Sequence, residues 1–401
     1  MSGEFKLTRQ QIEELTERYG SPLYLYDERT LRTRCREMKQ LVSYPYFNPN
    51  YSAKANTNIE LLKIVRSEGF HVDAMSPGEI LLELAAGFSP EEIFFIPNNV
   101  SVEEMAFAVD RHIAVSVDSL SQLETFGRNF PGEKVAVRLN PGVGAGHHDK
   151  VVTGGKSKFG IELAAQGEIK RIAVQYGVHI IGINMHIGSL FLEGSTYLEA
   201  GRKLLEAAKE FTELEFIDFG GGFGVPYHGE DRLNLDMMSE SLNRLIGEFT
   251  AQYPKKDLKF MIEPGRYVVA ECGLLIGRVN SVKVNYSEKY VGTDIGFNVL
   301  MRPVLYDAYH GIIVYNDSVE EEEVTVVGNI CETGDIIAKA RMLPSMKEGD
   351  FIGVETAGAY GYVMSSNYNA RQRPAEVLLE ASGNFRLIRK RDTLEELVRQ
   401  L

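Results

Sequence analysis

Lys54 lies in the run Tyr51-Ser52-Ala53-Lys54-Ala55-Asn56-Thr57-Asn58. A short β-prone stretch delivers the amine, and a helical pattern with Ile59, Leu62 and Val65 on one face follows at once. A lysine at the carboxyl end of a strand points to where α/β folds place their chemistry. Its amine can form a Schiff base with a carbonyl cofactor. Most lysines are solvated surface charges, so Lys54 gains meaning only from the other reactive groups in the chain.

Those groups recur at comparable points. Gly220-Gly221-Gly222, inside Asp218–Gly224, lets the backbone approach a phosphate and offer its N–H groups. Glu263-Pro264-Gly265-Arg266 extends that cradle, and Ser189 adds a hydroxyl. Glu263 has two readings: an ion-pair partner for Arg266, or a carboxylate that keeps a pyridine nitrogen protonated and strengthens the ring as an electron sink. His186 has no second histidine at ligand spacing, so a ring stacked on a flat cofactor is the expected role. His147-His148-Asp149 resembles a metal cluster, but adjacent histidines in a Gly-rich loop make poor co-ligands, and no metal is expected. A lysine, a phosphate cradle, a flat-ring partner and a carboxylate for a ring nitrogen together describe a pyridoxal phosphate site.

The elements that must position these residues alternate. Short apolar strands are expected at Tyr51–Lys54, His71–Ala74, Ile93–Ile96, Ile113–Val117, Val135–Leu139, Ile180–His186, Glu215–Phe219 and Lys259–Glu263. Helical patterns separate them, among them Glu79–Ala86, Glu193–Phe211 and Asp236–Phe249. Eight βα repeats over about 210 residues predict a closed (β/α)8 TIM-type barrel, and the reactive residues fall at its strand ends. After Glu263 the runs Leu274–Val284, Tyr290–Thr293, Gly311–Val314, Glu323–Val327, Phe351–Val354 and Ala375–Leu379 are β-branched and separated by turns, which predicts a C-terminal antiparallel β domain. Pro22–Tyr26 is expected to add an N-terminal strand to it, and a last helix to cover Asp392–Leu401. The expected division is residues 1–27 joining the β domain, 28–266 forming the cofactor-binding barrel and 267–401 forming the β domain.

Within the β domain three segments carry polar chemistry. Cys331-Glu332-Thr333-Gly334-Asp335 holds a cysteine that is either a small core residue or an exposed proton donor. Arg302–His310 sets a cation beside several hydroxyls, and Gly358–Gly361 with Ser365–Asn369 forms a hydroxyl-rich loop.

Composition bounds the rest. The 401 residues are 44% hydrophobic and 25% charged, enough for two or three domains without staples. A net charge of −13 argues against nucleic acid as a partner. No apolar run approaches the roughly 18 residues of a membrane span, and the first residues lack a signal-like stretch. Three cysteines cannot all pair, so a reducing, cytoplasmic setting is expected.

Tyr51–Asn58, Arg138–Gly142, Thr153–Phe159, His186–Ser189, Gly220–Gly224, Glu263–Arg266, Cys331–Asp335 and Gly358–Asn369 occur in an order that resembles the pyridoxal phosphate decarboxylases of the alanine-racemase-like fold (fold type III). Within that class the chain most resembles the diaminopimelate decarboxylases, from about residue 20 to residue 390. The resemblance implies Lys54 as the Schiff-base lysine, His186 stacked on the ring and Glu263 at the pyridine nitrogen. It implies that Ser189, Gly221, Gly222, Gly265, Arg266 and Tyr360 hold the phosphate. It gives Arg266, Arg302, Tyr306, Glu332 and Tyr360 to the substrate, and to Cys331 the return of a proton to Cα. It further implies a homodimer in which Cys331 and Glu332 reach the partner's barrel. The chain departs from the family pattern at Leu190, where glutamine is usual, at Thr333, where serine is common, and in Tyr-Ser-Ala-Lys54.

Reaction and substrate follow from individual residues. Racemases of this fold present arginine to the ring nitrogen, whereas Glu263 suits the stronger electron sink that decarboxylation uses. Polyamine-type decarboxylases usually carry an acid where this chain has Arg302; a cation there suits a distal carboxylate. Diaminopimelate has a distal carboxylate for Arg302 and a distal amine for Glu332, and its decarboxylation would give L-lysine, the last step of lysine biosynthesis. A relative recruited to another amino acid, or to a carrier-bound substrate of secondary metabolism, is the alternative.

Overall fold

The computed structural model describes residues 7–146, 148, 150 and 152–399. Of the run His147-His148-Asp149, only His148 lies within them. The chain divides into two compact units, one of residues 34–225 and 231–268, the other of 7–33, 226–230 and 269–399.

The first unit is a closed barrel of eight parallel strands: Phe47–Ser52, His71–Ala74, Ile93–Phe95, Ala114–Val117, Lys134–Asn140, His179–Asn184, Phe216–Asp218 and Lys259–Ile262. Each pairs with the next in chain order, and the eighth closes on the first through Phe260↔Phe47 and Ile262↔Pro49. The first strand begins four residues before the apolar run in the sequence and ends at Ser52, two residues short of Lys54. Asn48-Pro49-Asn50 reads as a strand breaker. Pro49 is tolerated in the ladder, and Asn50 is buried with its amide 3.5 Å from the Met261 sulfur.

Helices start where short polar side chains can accept a free backbone N–H. Asn58 caps Ile59–Ser67, Ser76 caps Pro77–Ala86, Ser101 caps Val102–Val109, Ser119 caps Leu120–Asn129 and Asn234 caps Leu235–Gln252. Inside the barrel Phe94, Ile96, Ala136, Ile181, Phe216 and Met261 form one buried cluster. Phe94 and Phe216 meet edge to face at 5.0 Å, so the interior is packed and chemistry is confined to the strand ends.

The second unit is a mixed, mainly antiparallel sheet. Leu23–Asp27 lies between Gly273–Asn285, antiparallel, and Ala375–Leu379, parallel. The helix Arg9–Tyr19 places Ile12 and Leu15 on a core of Leu23, Leu25, Leu274, Ile276, Phe351 and Val377. A second parallel pair joins Glu288–Thr293 to Glu321–Val327. The last helix is Leu394–Arg399. No helix among the described residues is long and apolar enough to cross a membrane.

One buried acid is at odds with its surroundings. Glu83, on Pro77–Ala86, is fully buried, and neither carboxyl oxygen has a hydrogen-bond partner among the described residues. Burial first, then Asp73 and Glu79, raises its carboxyl from 4.5 to about 10. The folded chain therefore keeps a proton that the unfolded chain releases, and this contribution to stability, complete below 4.5, is lost as pH rises toward 10. Glu83→Gln removes the titration at similar shape. Its Tm relative to the parent should be about 2–5 °C higher at pH 8 than at pH 5. The same Tm difference at both pH values, read by scanning calorimetry, would refute a protonated Glu83.

Candidate active site

The first, sixth, seventh and eighth strands deliver Lys54, His186, Ser189, Gly221, Gly222, Glu263, Gly265 and Arg266 to the carboxyl end of the barrel. Lys54 sits in a three-residue 3₁₀ turn, Ala53–Ala55. Its Nζ lies 3.3 Å from the Ser52 hydroxyl and 3.9 Å from Asp73 Oδ1. The Ser52 hydroxyl in turn donates to Asp73 Oδ2 at 2.7 Å. Asp73 is fully buried; burial raises its carboxyl to about 8, against the opposing pull of Lys54. The amine is thus held at the barrel mouth by a hydroxyl and a carboxyl from the first two strands.

His186 follows the sixth strand and lies within electrostatic reach of that amine. Its Nδ1 accepts the N–H of Gly221 at 3.1 Å, and its carbonyl accepts the Thr153 hydroxyl at 2.7 Å. An Nδ1 that accepts carries no proton, so the ring is neutral with its proton on Nε2. Burial, then the charges of Lys54 and Arg138, pushes its pKa well below the ordinary 6.5. The ring stays uncharged and fixed in plane, as a stacking partner must.

The glycines are required by their neighbours before any ligand is considered. A Cβ on Gly220 would lie 2.0 Å from the Met185 carbonyl oxygen, and one on Gly221 2.0 Å from that of Glu263. Gly222 has φ +111, where a side chain is strained, and a Cβ there would lie 2.6 Å from the Gly188 oxygen. The loops after strands six and seven are zipped by Phe191 N–H to Gly222 O at 3.0 Å and Gly224 N–H to Phe191 O at 2.9 Å. Arg266, buried, donates to the Ser189 hydroxyl at 3.1 Å and 3.3 Å, which joins the sixth and eighth strand ends across this cradle.

Glu263 is buried, and its Oε1 has no hydrogen-bond partner among the described residues. Burial and the nearby Asp218 raise its pKa well above 4.5, with Lys54 and Arg138 opposing. The charged groups that weigh on it are therefore Asp218, Lys54 and Arg138, rather than the Arg266 partner that the sequence leaves open. Asp218 accepts the Gly220 N–H at 2.8 Å and is itself raised to about 6. Arg138 is buried, carries its guanidinium 4.7 Å from the Phe159 ring, and leaves Nη2 without a hydrogen-bond partner among the described residues.

The second unit holds the remaining residues. Arg302 opens the short helix Arg302–Tyr306 and is 1% exposed, so it is not the surface turn that is the plainer reading of its sequence. Cys331 is exposed, with its N–H on Asn369 at 3.1 Å. Tyr368 donates to the Glu332 carboxylate. Asp335 fixes the loop by accepting from Ile330 N–H and Phe297 N–H, both at 2.7 Å. Tyr360 has φ +55, a strained value for a non-glycine residue, in a turn where Gly358 passes so close to the Val269 carbonyl that a Cβ would lie 1.9 Å away.

Residues 28–270 match the model of the pyridoxal-dependent decarboxylase pyridoxal-binding domain. The chain is 41% identical to the diaminopimelate decarboxylase of Methanothermobacter thermautotrophicus, over 96% of this chain and 92% of that protein. The chain belongs to the diaminopimelate decarboxylase family. It is also 34% identical to the Escherichia coli diaminopimelate decarboxylase, over 99% of this chain and 97% of that one. The crystal structure of the Helicobacter pylori diaminopimelate decarboxylase complexed with L-lysine superposes with a TM-score of 0.89 at 33% identity, covering 97% of this chain and 98% of that chain.

Pyridoxal phosphate is the cofactor of this decarboxylase family, and the barrel residues fit it. A pyridinium N–H would give the unpartnered Glu263 oxygen its donor and its counter-charge. The glycine loops leave backbone where a phosphate needs close approach.

Sequence reasoning passed over Asp73, Arg138 and Asp218 as site residues. The signal was present for each: a charged residue inside a run otherwise buried on both faces must have a partner to justify its burial. Arg138 interrupts Val135–Leu139, and Asp73 and Asp218 interrupt the second and seventh strands.

Proposed function

We propose that this protein decarboxylates meso-2,6-diaminopimelate to L-lysine and carbon dioxide with pyridoxal phosphate. The observation that carries the reaction type is Glu263, a buried carboxyl with an unpartnered oxygen at the same barrel end as a positioned lysine amine. The cofactor supplies an aldehyde for an amine and a protonated ring that accepts the electron pair left when a carboxylate departs.

The protein's groups do the rest. Lys54 would hold the cofactor through its aldehyde carbon. His186 would cover one face of the ring, and Glu263 would keep the ring nitrogen protonated. Ser189, Gly221, Gly222, Gly265, Arg266 and Tyr360 hold the phosphate, whose negative charge the Arg266 guanidinium complements. Arg302 and Tyr306 take the distal carboxylate and Glu332 the distal ammonium, with Arg266 and Tyr360 at the near end. The Cys331 thiol would supply the one proton that Cα needs once the carboxylate has left as carbon dioxide. Cys331 and Glu332 act in the barrel of a partner subunit, which makes the working unit a homodimer in the cytoplasm.

Purified protein loaded with pyridoxal phosphate and given meso-diaminopimelate should release carbon dioxide and L-lysine in equal amounts. Absence of that turnover, with turnover of another amino acid or of a carrier-bound one, would refute the substrate.

A further inference from the structure

Asn140 and Thr153 belong to the motifs Arg138–Gly142 and Thr153–Phe159, and neither carries chemistry of its own in the reaction above. Asn140 ends the fifth strand and is buried. Its Nδ2 donates to the carbonyls of Gly155 and Phe159, both at 2.9 Å. Its Oδ1 accepts the N–H of Gly142 at 3.0 Å and that of Gly155 at 2.9 Å. Both donors and both lone pairs of the amide are filled by backbone groups, which also fixes the orientation of the amide. One side chain thus joins the two arms of a loop, residues 142–145 and 152–159. The arms pack backbone on backbone: a Cβ on Gly154 would lie 1.7 Å from the Val143 carbonyl oxygen.

The joined arms hold the backbone that carries His186. His186 and Ile187 lie beyond the end of the sixth strand, and the loop takes their carbonyls in place of a ladder. The Ile187 carbonyl accepts Ala145 N–H at 3.0 Å from one arm, and Thr153 and Gly154 N–H at 3.3 and 3.4 Å from the other. The His186 carbonyl accepts the Thr153 hydroxyl at 2.7 Å. Gly221 N–H holds the ring itself, through Nδ1 at 3.1 Å. The residue is therefore clamped twice, at its ring and at its own carbonyl, and the second clamp is supplied by the loop.

We propose that Asn140 and Thr153 are positioning residues for the His186 ring: Asn140 folds the two arms into one unit, and Thr153 transmits that order to the His186 backbone. This rests on the reading above that His186 covers one face of the cofactor ring. A carbonyl released from Thr153 lets the peptide after His186 turn, and the Cα–Cβ direction that aims the imidazole moves with it. Stacking and catalytic geometry tolerate little of such movement.

The test reads the visible circular dichroism of the holoenzyme, a band set by the asymmetric surroundings of the bound ring, and the dissociation constant of pyridoxal phosphate, beside kcat and KM. His186→Ala sets the scale and should raise the dissociation constant by about tenfold. Thr153→Val keeps the shape and removes the hydroxyl. It should raise the dissociation constant and lower kcat by about three- to tenfold each, weaken the dichroic band, and leave KM for diaminopimelate within about twofold. Thr153→Ser keeps the hydroxyl and should stay within about twofold of the parent on every readout. Asn140→Asp loses both donors and sets carboxylate oxygen against the Gly155 and Phe159 carbonyls, so it should act in the same direction by at least as much as Thr153→Val. If Asn140→Asp does not fold, the Thr153 pair decides alone. A Thr153→Val holoenzyme with parent-like dichroism and cofactor affinity, or Thr153→Ser as impaired as Thr153→Val, overturns this inference and leaves the His186 reading standing. His186→Ala with parent-like cofactor readouts overturns that reading, and this inference with it.

Discussion

Glu263→Gln is expected to lower kcat by about two to three orders of magnitude while pyridoxal phosphate stays bound. The reason lies in what surrounds the carboxyl. Glu263 is buried beside Asp218, with its Oε1 unpartnered among the described residues, and its pKa is raised well above 4.5. Burial therefore favours its uncharged form. A pyridine nitrogen held beside it would share that proton, and burial would strengthen the pairing. Glutamine can donate a hydrogen bond but cannot hand over a proton, so the ring nitrogen stays neutral and the electron sink weakens. The phosphate cradle and Lys54 remain, so the cofactor is retained. A variant with parent-like kcat and full cofactor content, measured by carbon dioxide release and by cofactor absorbance, would remove Glu263 from the mechanism.

Lys54→Ala is expected to reduce turnover by about a thousandfold or more. It should also abolish the covalent link that borohydride fixes between chain and cofactor. Ser52 and Asp73 hold the Lys54 amine at 3.3 and 3.9 Å, and no other lysine occupies the strand ends described above. Removing the amine also removes the charge that opposes the rise of the Asp73 carboxyl, which should climb beyond about 8. If the proposed homodimer shares its sites, mixing Lys54→Ala with Cys331→Ala after dissociation and reassembly should restore up to about a quarter of parent activity, because half of the random dimers would then carry one intact site. Borohydride labelling of the alanine variant at another lysine would displace Lys54 from its role. No recovery on mixing would place Cys331 and Lys54 in the same subunit.

Much of this molecule is legible in one dimension because its signals are local. Mostly apolar runs four to seven residues long, five of them followed by an Asn or Ser cap, mark buried strands and helix starts. What escaped was what local pattern disguises. Asn48-Pro49-Asn50 hid the start of the first strand, although in the ladder Pro49 is aligned with Ile262. Ile336–Pro344 buries only Ile337 and Ala338 and then carries Lys339 and Arg341, and Phe385–Arg389 holds two arginines in five residues, so neither reads as a strand. Arg9–Tyr19 looks like a polar N-terminal segment, yet it lays Ile12 and Leu15 on the sheet core.

The sequence by itself determined the order of the strands, the residues at their ends and the chemistry those residues offer. It did so because side-chain type and short-range periodicity are properties of neighbours along the chain. The tertiary structure decided which groups meet. Lys54, Ser52 and Asp73 become one hydrogen-bonded relay only because two strands pair at Ser52↔Asp73. Glu263 is set beside Asp218 because the seventh and eighth strands pair in parallel. The Gly220–Gly222 triplet proves to be demanded by the carbonyls of Met185, Gly188 and Glu263. Arg302 turns from a plausible surface turn into a buried cation 2.7 Å from His310. Protonation state depends on burial and on charges distant in sequence, and those distances exist only once the chain has folded.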